Sequence, residues 1–226
     1  RPLCLRDSAF YDPSSDLDDN QRLVWLLSQM ALTDKLPLKN GKKRQLLLRV
    51  PGFAGSGETR VLQCLMNDPI FRERGRVHTP AGCAAVNIGG IATTYHSAYK
   101  LPIGSSNRHP LTGESKRRVE LRCPRTVRLI MIDECGMTGQ AILAWLDERL
   151  QDIFGNTLPF GGCHIIIIGD NRQCMPVRAR PLFESLKDTP CDRKDRTYVQ
   201  RGFDLYRMFE DVIILKINYR VKAVRK

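Results

Sequence analysis

The chain has 226 residues, 42% of them hydrophobic and 27% charged, which excludes a disordered chain and, at roughly 70% burial of its unfolded surface, makes a disulfide or metal staple unnecessary. No apolar run approaches the ~18 residues of a membrane span, so no membrane partner is expected. Lys and Arg number 36 against 24 Asp and Glu, a net charge of +12; this favours a polyanionic partner, nucleic acid before a membrane surface, although a solvated basic surface accounts for the charge equally well.

The first 16 residues are polar and turn-rich and read as a loose lead-in. They carry neither a methionine nor an apolar stretch, so a secretory signal is not expected and a piece of a longer chain is. Leu17 to Leu32 has apolar residues at helical spacing with Asp18 and Asp19 near its start, as a helix N-terminus prefers. Gln45 to Val50 is a short apolar run with the character of a buried strand, followed by a glycine-rich turn and a helical stretch, TRVLQCLM.

Lys100 to Arg125 is rich in Gly, Ser, Pro and basic residues. It reads as an irregular solvated loop, with a nucleic-acid-facing basic loop as the alternative. Val127 to Ile132, His164 to Ile168 and Val212 to Ile217 are further apolar runs, each ending in polar residues. Helical patterns lie between them, notably Gln140 to Phe154 and Phe203 to Phe209. Apolar strands alternating with helices predict an α/β fold with a mostly parallel sheet flanked by helices. The polar residues past the strand ends are where such a sheet places its ligand.

Eight cysteines, Cys4, Cys64, Cys83, Cys123, Cys135, Cys163, Cys174 and Cys191, contain no C-x-x-C pair. Reduced thiols in an intracellular compartment and no structural metal are expected. Cys163 and His164 are adjacent on a predicted strand and so point to opposite faces, which makes them poor joint ligands.

Gly52-Phe53-Ala54-Gly55-Ser56-Gly57-Glu58-Thr59 has the glycine spacing of the phosphate loop G-x-x-x-x-G-K-[ST]. Glycines let backbone N–H groups wrap around phosphates, and the next helix adds its positive end. Thr59 stands where the hydroxyl binds magnesium. Glu58 replaces the lysine. A carboxylate ~4 Å from a phosphate costs about 4 kcal/mol at an effective dielectric of ~20, and the lost cation adds to that. Arg60, two residues along a helix, points to the wrong side to substitute. Asp133-Glu134 ends the strand after Val127, as an acid pair that holds magnesium (Asp133) and polarises an attacking water (Glu134) should.

With these in order, the chain resembles the Pif-one-like family of superfamily 1 DNA helicases, relatives of RecD, from about Leu17 to Arg220. LDDNQR resembles the family's Q motif, GFAGSGET its motif I, TPAGCAAVNIGGIATTYHSAYKL its motif Ia, IDECGM its motif II, FGGCHIIIIGDNRQCMPV its motif III and LKINYR its motif IV. The resemblance implies a RecA-like P-loop motor domain over 17–226. It implies ATP and Mg2+ as cofactors, with Gln21 on the adenine and Gln173 and Arg220 at the γ-phosphate. It implies single-stranded DNA as partner, with Asn87, Thr94, His96 and Ser97 as candidate contacts. A capping or buried structural role is open for His96.

The family activity is ATP hydrolysis coupled to 5′-to-3′ DNA unwinding in repair, recombination or telomere maintenance, in the nucleus or mitochondrion. The chain departs from the pattern at Glu58, and it ends just after motif IV, so the second motor domain is expected to be missing. The isolated chain is expected to be impaired. The competing reading is a degenerate, non-catalytic nucleic-acid-binding module.

Overall fold

The computed structural model describes residues 16–89, 91–102, 111–171, 173–185 and 196–222. The lead-in before residue 16 lies outside the described residues. Chain order is α1 (Asp19–Leu32), β1 (Leu47–Val50), α2 (Glu58–Asn67), α3 (Pro69–Arg74), β2 (Gly75–Thr79), α4 (Gly82–Ile88), β3 (Thr93–Thr94), α5 (Tyr95–Tyr99), α6 (Gly113–Arg122), β4 (Leu129–Ile132), α7 (Gln140–Phe154), β5 (His164–Ile168), α8 (Arg196–Arg207), β6 (Asp211–Val212) and α9 (Tyr219–Lys222). The strands form one sheet in the order β3-β2-β4-β5-β1-β6, and every pairing is parallel.

The apolar runs are continuous because both faces of the sheet are covered. Leu47, Ile130, Ile132, Ile165 and Ile167 face a core with Leu143, Leu146 and Leu150 of α7. Leu48, Val50, Met131, Ile166 and Ile168 face the other core with Val24 of α1 and Leu62 and Leu65 of α2. The period-2 alternation of strand side chains assigns each neighbour to the opposite layer. Cys163 and His164 diverge for this reason: Cys163 Sγ contacts Val127 O, while His164 Nδ1 accepts from Leu46 N–H at 3.0 Å.

Three expectations change. Lys100–Arg125 is not all loop, because α6 occupies Gly113–Arg122. Its only buried side chain is Val119, so it has no amphipathic signature; Glu114 pairs with Arg118 one turn on, and Arg76 Nε donates to Arg122 O at 2.8 Å, capping the C-terminal end. The strand expected over Val212–Ile217 is the two-residue β6, Asp211–Val212, which overlaps that range only at Val212. Ile213 N–H and Leu215 N–H donate to Arg49 O and Pro51 O, but Pro51 has no N–H to return. The helix expected at Phe203–Phe209 starts earlier, as α8 from Arg196.

β2 and β3 carry no continuous apolar run. β2 buries His78 and Thr79, and His78 is satisfied between Thr93 Oγ1 at 3.1 Å and Tyr99 Oη at 2.9 Å. Among the described residues no helix is long and apolar enough to cross a membrane.

Candidate nucleotide and nucleic-acid site

β1 ends at Val50 and the chain turns tightly through Gly52–Gly57 before α2. Gly55 and Gly57 have φ of +85° and +82°, values that glycine tolerates without a Cβ clash. Ser56 N–H closes the turn on Phe53 O at 2.9 Å. Gly57 caps α2 without any side-chain hydrogen bond, leaving the helix's positive end facing the loop.

A cleft of about 300 Å³ opens on this loop. Its walls are Ala54 to Thr59 together with Glu134, Gln173 and Arg220. Four separate stretches of sequence, each singled out by its motif, therefore meet in one place. Glu134 follows β4 with φ +53°, a left-handed conformation that is costly for a non-glycine residue and turns the chain abruptly past the strand. Asp133 is buried at the strand end; burial pushes its carboxyl up to about 6, and the Glu134 charge adds to this. Gln173 sits on the loop after β5, its N–H on Asp170 O at 3.2 Å.

Arg220 reaches the loop from the far end of the chain. Tyr219 N–H donates to Gly55 O at 2.9 Å, Asn218 Nδ2 donates to Ala54 O at 3.1 Å, and Arg220 N–H donates to Asn218 Oδ1 at 3.0 Å. Tyr219 Oη donates to Asp18 Oδ2 at 2.7 Å, while Asp18 Oδ1 caps α1 through the N–H groups of Asn20 and Gln21. Asp18, Asn218 and Tyr219 thus hold the site together although motif reading assigned them no role. The Asp18–Gln21 spacing is a capping box, the signal that would have found the first of them.

Gln21 is 1% exposed and does not line the cleft. Its Nε2 donates to Ser56 O at 3.0 Å, and its Oε1 accepts from Asp18 N–H at 3.1 Å. Both ends of the carboxamide are engaged within the chain, bracing the loop from behind. Gly52 does not line the cleft; its Cβ face is covered by Ser56 and Glu58. Arg60 pairs with Asp16 at 2.9 Å and, as its helical position implies, stays out of the cleft.

Glu58 does not project into open cleft alone. A Cβ at Gly52 would collide with both Glu58 Oε1 and Ser56 Oγ, so the carboxyl is folded back over the loop. Glu58 Oε1 and Ser56 Oγ are both buried, and neither has a hydrogen-bond partner. Burial, followed by the charges of Asp133, Glu134 and Asp170, raises the Glu58 carboxyl to about 8. At pH 7 it is mostly protonated, so the charge repulsion expected from the sequence is largely relieved by proton uptake.

The motif Ia candidates divide. Thr94 caps α5, its Oγ1 accepting from Ser97 N–H at 3.2 Å, and His96 and Ser97 lie on that helix. Asn87 is exposed on the separate helix α4. His96 Nδ1 lies 3.4 Å from Leu101 O, and burial lowers its pKa. Ser97 Oγ accepts from Arg122 Nη1 at 2.6 Å, bringing a basic residue of α6 beside the motif.

An ATP phosphate chain fits the loop glycines, the open end of α2 and Arg220; it does not fit Glu58. Thr59 on the cleft wall and Asp133 beneath it suit magnesium by donor type. Among the described residues, no three His, Cys, Asp or Glu side chains converge to hold a metal.

The family model described as PIF1-like helicase matches residues 28–189. The chain is 28% identical over 186 residues to the ATP-dependent DNA helicase PIF1 of Saccharomyces cerevisiae (strain YJM789), covering 76% of this chain and 21% of that protein. It is 31% identical over 129 residues to the Candida albicans ATP-dependent DNA helicase PIF1, covering 56% and 14%. Unliganded Pif1 from Bacteroides sp. superposes over 90% of this chain and 42% of that one, with TM-score 0.63 and 24% identity. Candida albicans Pif1 superposes over 92% and 41%, with TM-score 0.60. The chain spans about a fifth of the length of the first of these curated relatives and about two fifths of the solved chains. The fold is the RecA-like one of these neighbours, a parallel sheet with helices on both faces. With most of its length under one family model, the chain belongs to the PIF1-like helicase family.

Proposed function

We propose that residues 17–226 form the first motor domain of an ATP-dependent 5′-to-3′ DNA helicase, and that its turnover is suppressed by Glu58. One observation carries the reading: Glu134, Gln173 and Arg220 share a cleft with the phosphate loop. In this proposal Ala54 to Gly57 take the phosphates, Thr59 and Asp133 take magnesium, and Gln21 serves the adenine side after releasing part of its present bonding. Thr94, His96 and Ser97, with Asn87 nearby in sequence, take one DNA strand. The working compartment is one that holds DNA, the nucleus or mitochondrion, and the pathways are repair or recombination.

The curated relatives carry the name ATP-dependent DNA helicase, and Bacteroides Pif1 is known bound to single-stranded DNA and in complex with ADP-AlF3 and single-stranded DNA. The fold of Glu58 over the loop favours a second reading, a nucleic-acid-binding module that no longer hydrolyses ATP. Phosphate release by the purified chain, with and without single-stranded DNA, tests the suppression; a rate that rises with DNA refutes it. Both readings require single-stranded DNA affinity that falls with salt, with log K against log[salt] declining by about 0.7 per phosphate neutralised. A flat salt titration overturns both.

A further inference from the structure

A phosphate loop works as an anion cup because its interior is lined by backbone N–H groups and little else. In this chain the interior holds a side chain. Glu58 is the first residue of α2, and side chains at a helix start lean back toward the N-terminus, here into the loop. The carboxyl reaches the face of Gly52 on which a Cβ could not be placed, and the Ser56 hydroxyl converges on the same face. Ser56 is 1% exposed and its Oγ has no hydrogen-bond partner; Glu58 Oε1 is likewise buried and unpartnered.

We propose that Glu58 is an internal occupant of the phosphate loop: its folded-back carboxyl fills space an incoming phosphate needs, and nucleotide binds only when this arm swings into the open cleft. This rests on the reading of the loop as a nucleotide site. It assigns the defect to occupancy, which differs from the missing cation and from charge repulsion. Buried polar atoms without partners make the folded-back arm poorly held. Because Glu58 also lines the cleft, a path for the arm to leave is already present. The loop is therefore occluded reversibly, and the rest of the cleft wall is kept.

Three variants of the full chain separate the explanations: Glu58→Ala empties the loop, Glu58→Gln keeps the volume without a titratable charge, and Glu58→Lys restores the motif cation. Binding of ATP with magnesium is read by calorimetry, with circular dichroism confirming the fold and Glu58→Ser as a second small replacement should Glu58→Ala misfold. The expected result is at least tenfold tighter ATP binding by Glu58→Ala or Glu58→Ser than by the parent chain, with Glu58→Gln as weak as the parent. If Glu58→Gln binds as tightly as Glu58→Ala, charge and not occupancy is the barrier and the proposal fails. If Glu58→Lys binds while the small variants do not, a missing cation is the barrier and the proposal fails with the nucleotide site intact. If no folded variant binds ATP, the nucleotide reading of the loop fails as well.

Discussion

Tyr219 donates its backbone N–H to Gly55 O at 2.9 Å, and the stem of Arg220 lies over the Cα of the same glycine. The C-terminal segment is therefore stitched to the phosphate loop through the one residue whose hydrogen leaves room for it. A Cβ on Gly55 would sit 2.8 Å from Arg220 Cγ, and φ is +85°. Gly55→Ala should cost about 1–3 kcal/mol from backbone strain alone. A urea midpoint equal to that of the parent would mean that the loop tolerates the methyl and that Arg220 is not held this way.

Gln21 ties α1 to the loop with a buried carboxamide. Gln21→Met keeps most of the volume and leaves Ser56 O and Asp18 N–H without this partner, which should cost about 1–3 kcal/mol. Thermal unfolding measures it. An unchanged melting temperature would show that the bonds to Ser56 and Asp18 contribute nothing net.

The acid cluster sets a pH dependence whose sign follows from proton counting. Glu58 is raised from 4.5 to about 8 and Asp133 from 3.8 to about 6, so the folded chain holds more protons than the unfolded one in those windows. Their contribution destabilises progressively as pH rises from about 4.5 to 8 for Glu58, and from about 4 to 6 for Asp133. Asp170 and Glu134 add like charge at Glu58. Glu58→Gln should therefore be more stable than the parent chain at pH 9 and similar at pH 4.5. Parallel melting curves at both pH values would contradict the assignment.

Two buried histidines act in the opposite direction. His78 is lowered to about 3 and His164 to about 4, both by burial first. The unfolded chain binds protons there that the folded chain refuses, so this stability is present above pH 6.5 and is lost as pH falls toward 4 and below. His164 Nδ1 must stay unprotonated to accept from Leu46. His164→Asn should lose stability at pH 7 yet show a shallower acid decline between pH 6.5 and 4 than the parent, read from guanidinium titrations.

Asp147, 1% exposed, accepts from Phe160 N–H at 2.5 Å and from Arg201 Nε at 3.1 Å and Nη2 at 2.5 Å. It joins α7 to α8 and to the turn before β5. Asp147→Ala leaves the buried Phe160 N–H without this acceptor and removes one of the two carboxylates paired with the partly exposed Arg201, which should cost about 1–3 kcal/mol. A calorimetric loss below 1 kcal/mol would assign the core's stability to apolar packing alone.

The strands β1, β4 and β5 were legible because each is dominated by Leu, Ile, Val or Met, broken only by Arg49 in β1 and by His164 at the start of β5, a pattern that suits a doubly covered sheet. The helix α7 was legible to the residue, since Gly139 and Gly155 bracket a clear apolar period. β2 was not, because GRVHT owes its burial to partners rather than to composition: His78 is acceptable in the core only through Thr93 and Tyr99, which lie outside the strand. α6 was hidden by its single buried side chain, and β6 by Pro51 just past the end of β1.

Composition determined a folded chain with a net basic charge, and the ordered motifs determined its family and the identities that line the cleft. These properties are local: glycine spacing, strand ends and charge are carried by residues next to one another in the chain. Which charges surround Glu58, what Gln21 bonds and how Arg220 reaches the loop were decided by tertiary structure alone. Each depends on contacts between segments far apart in sequence, and burial among those contacts turns a carboxylate expected to be charged into one that holds its proton at pH 7.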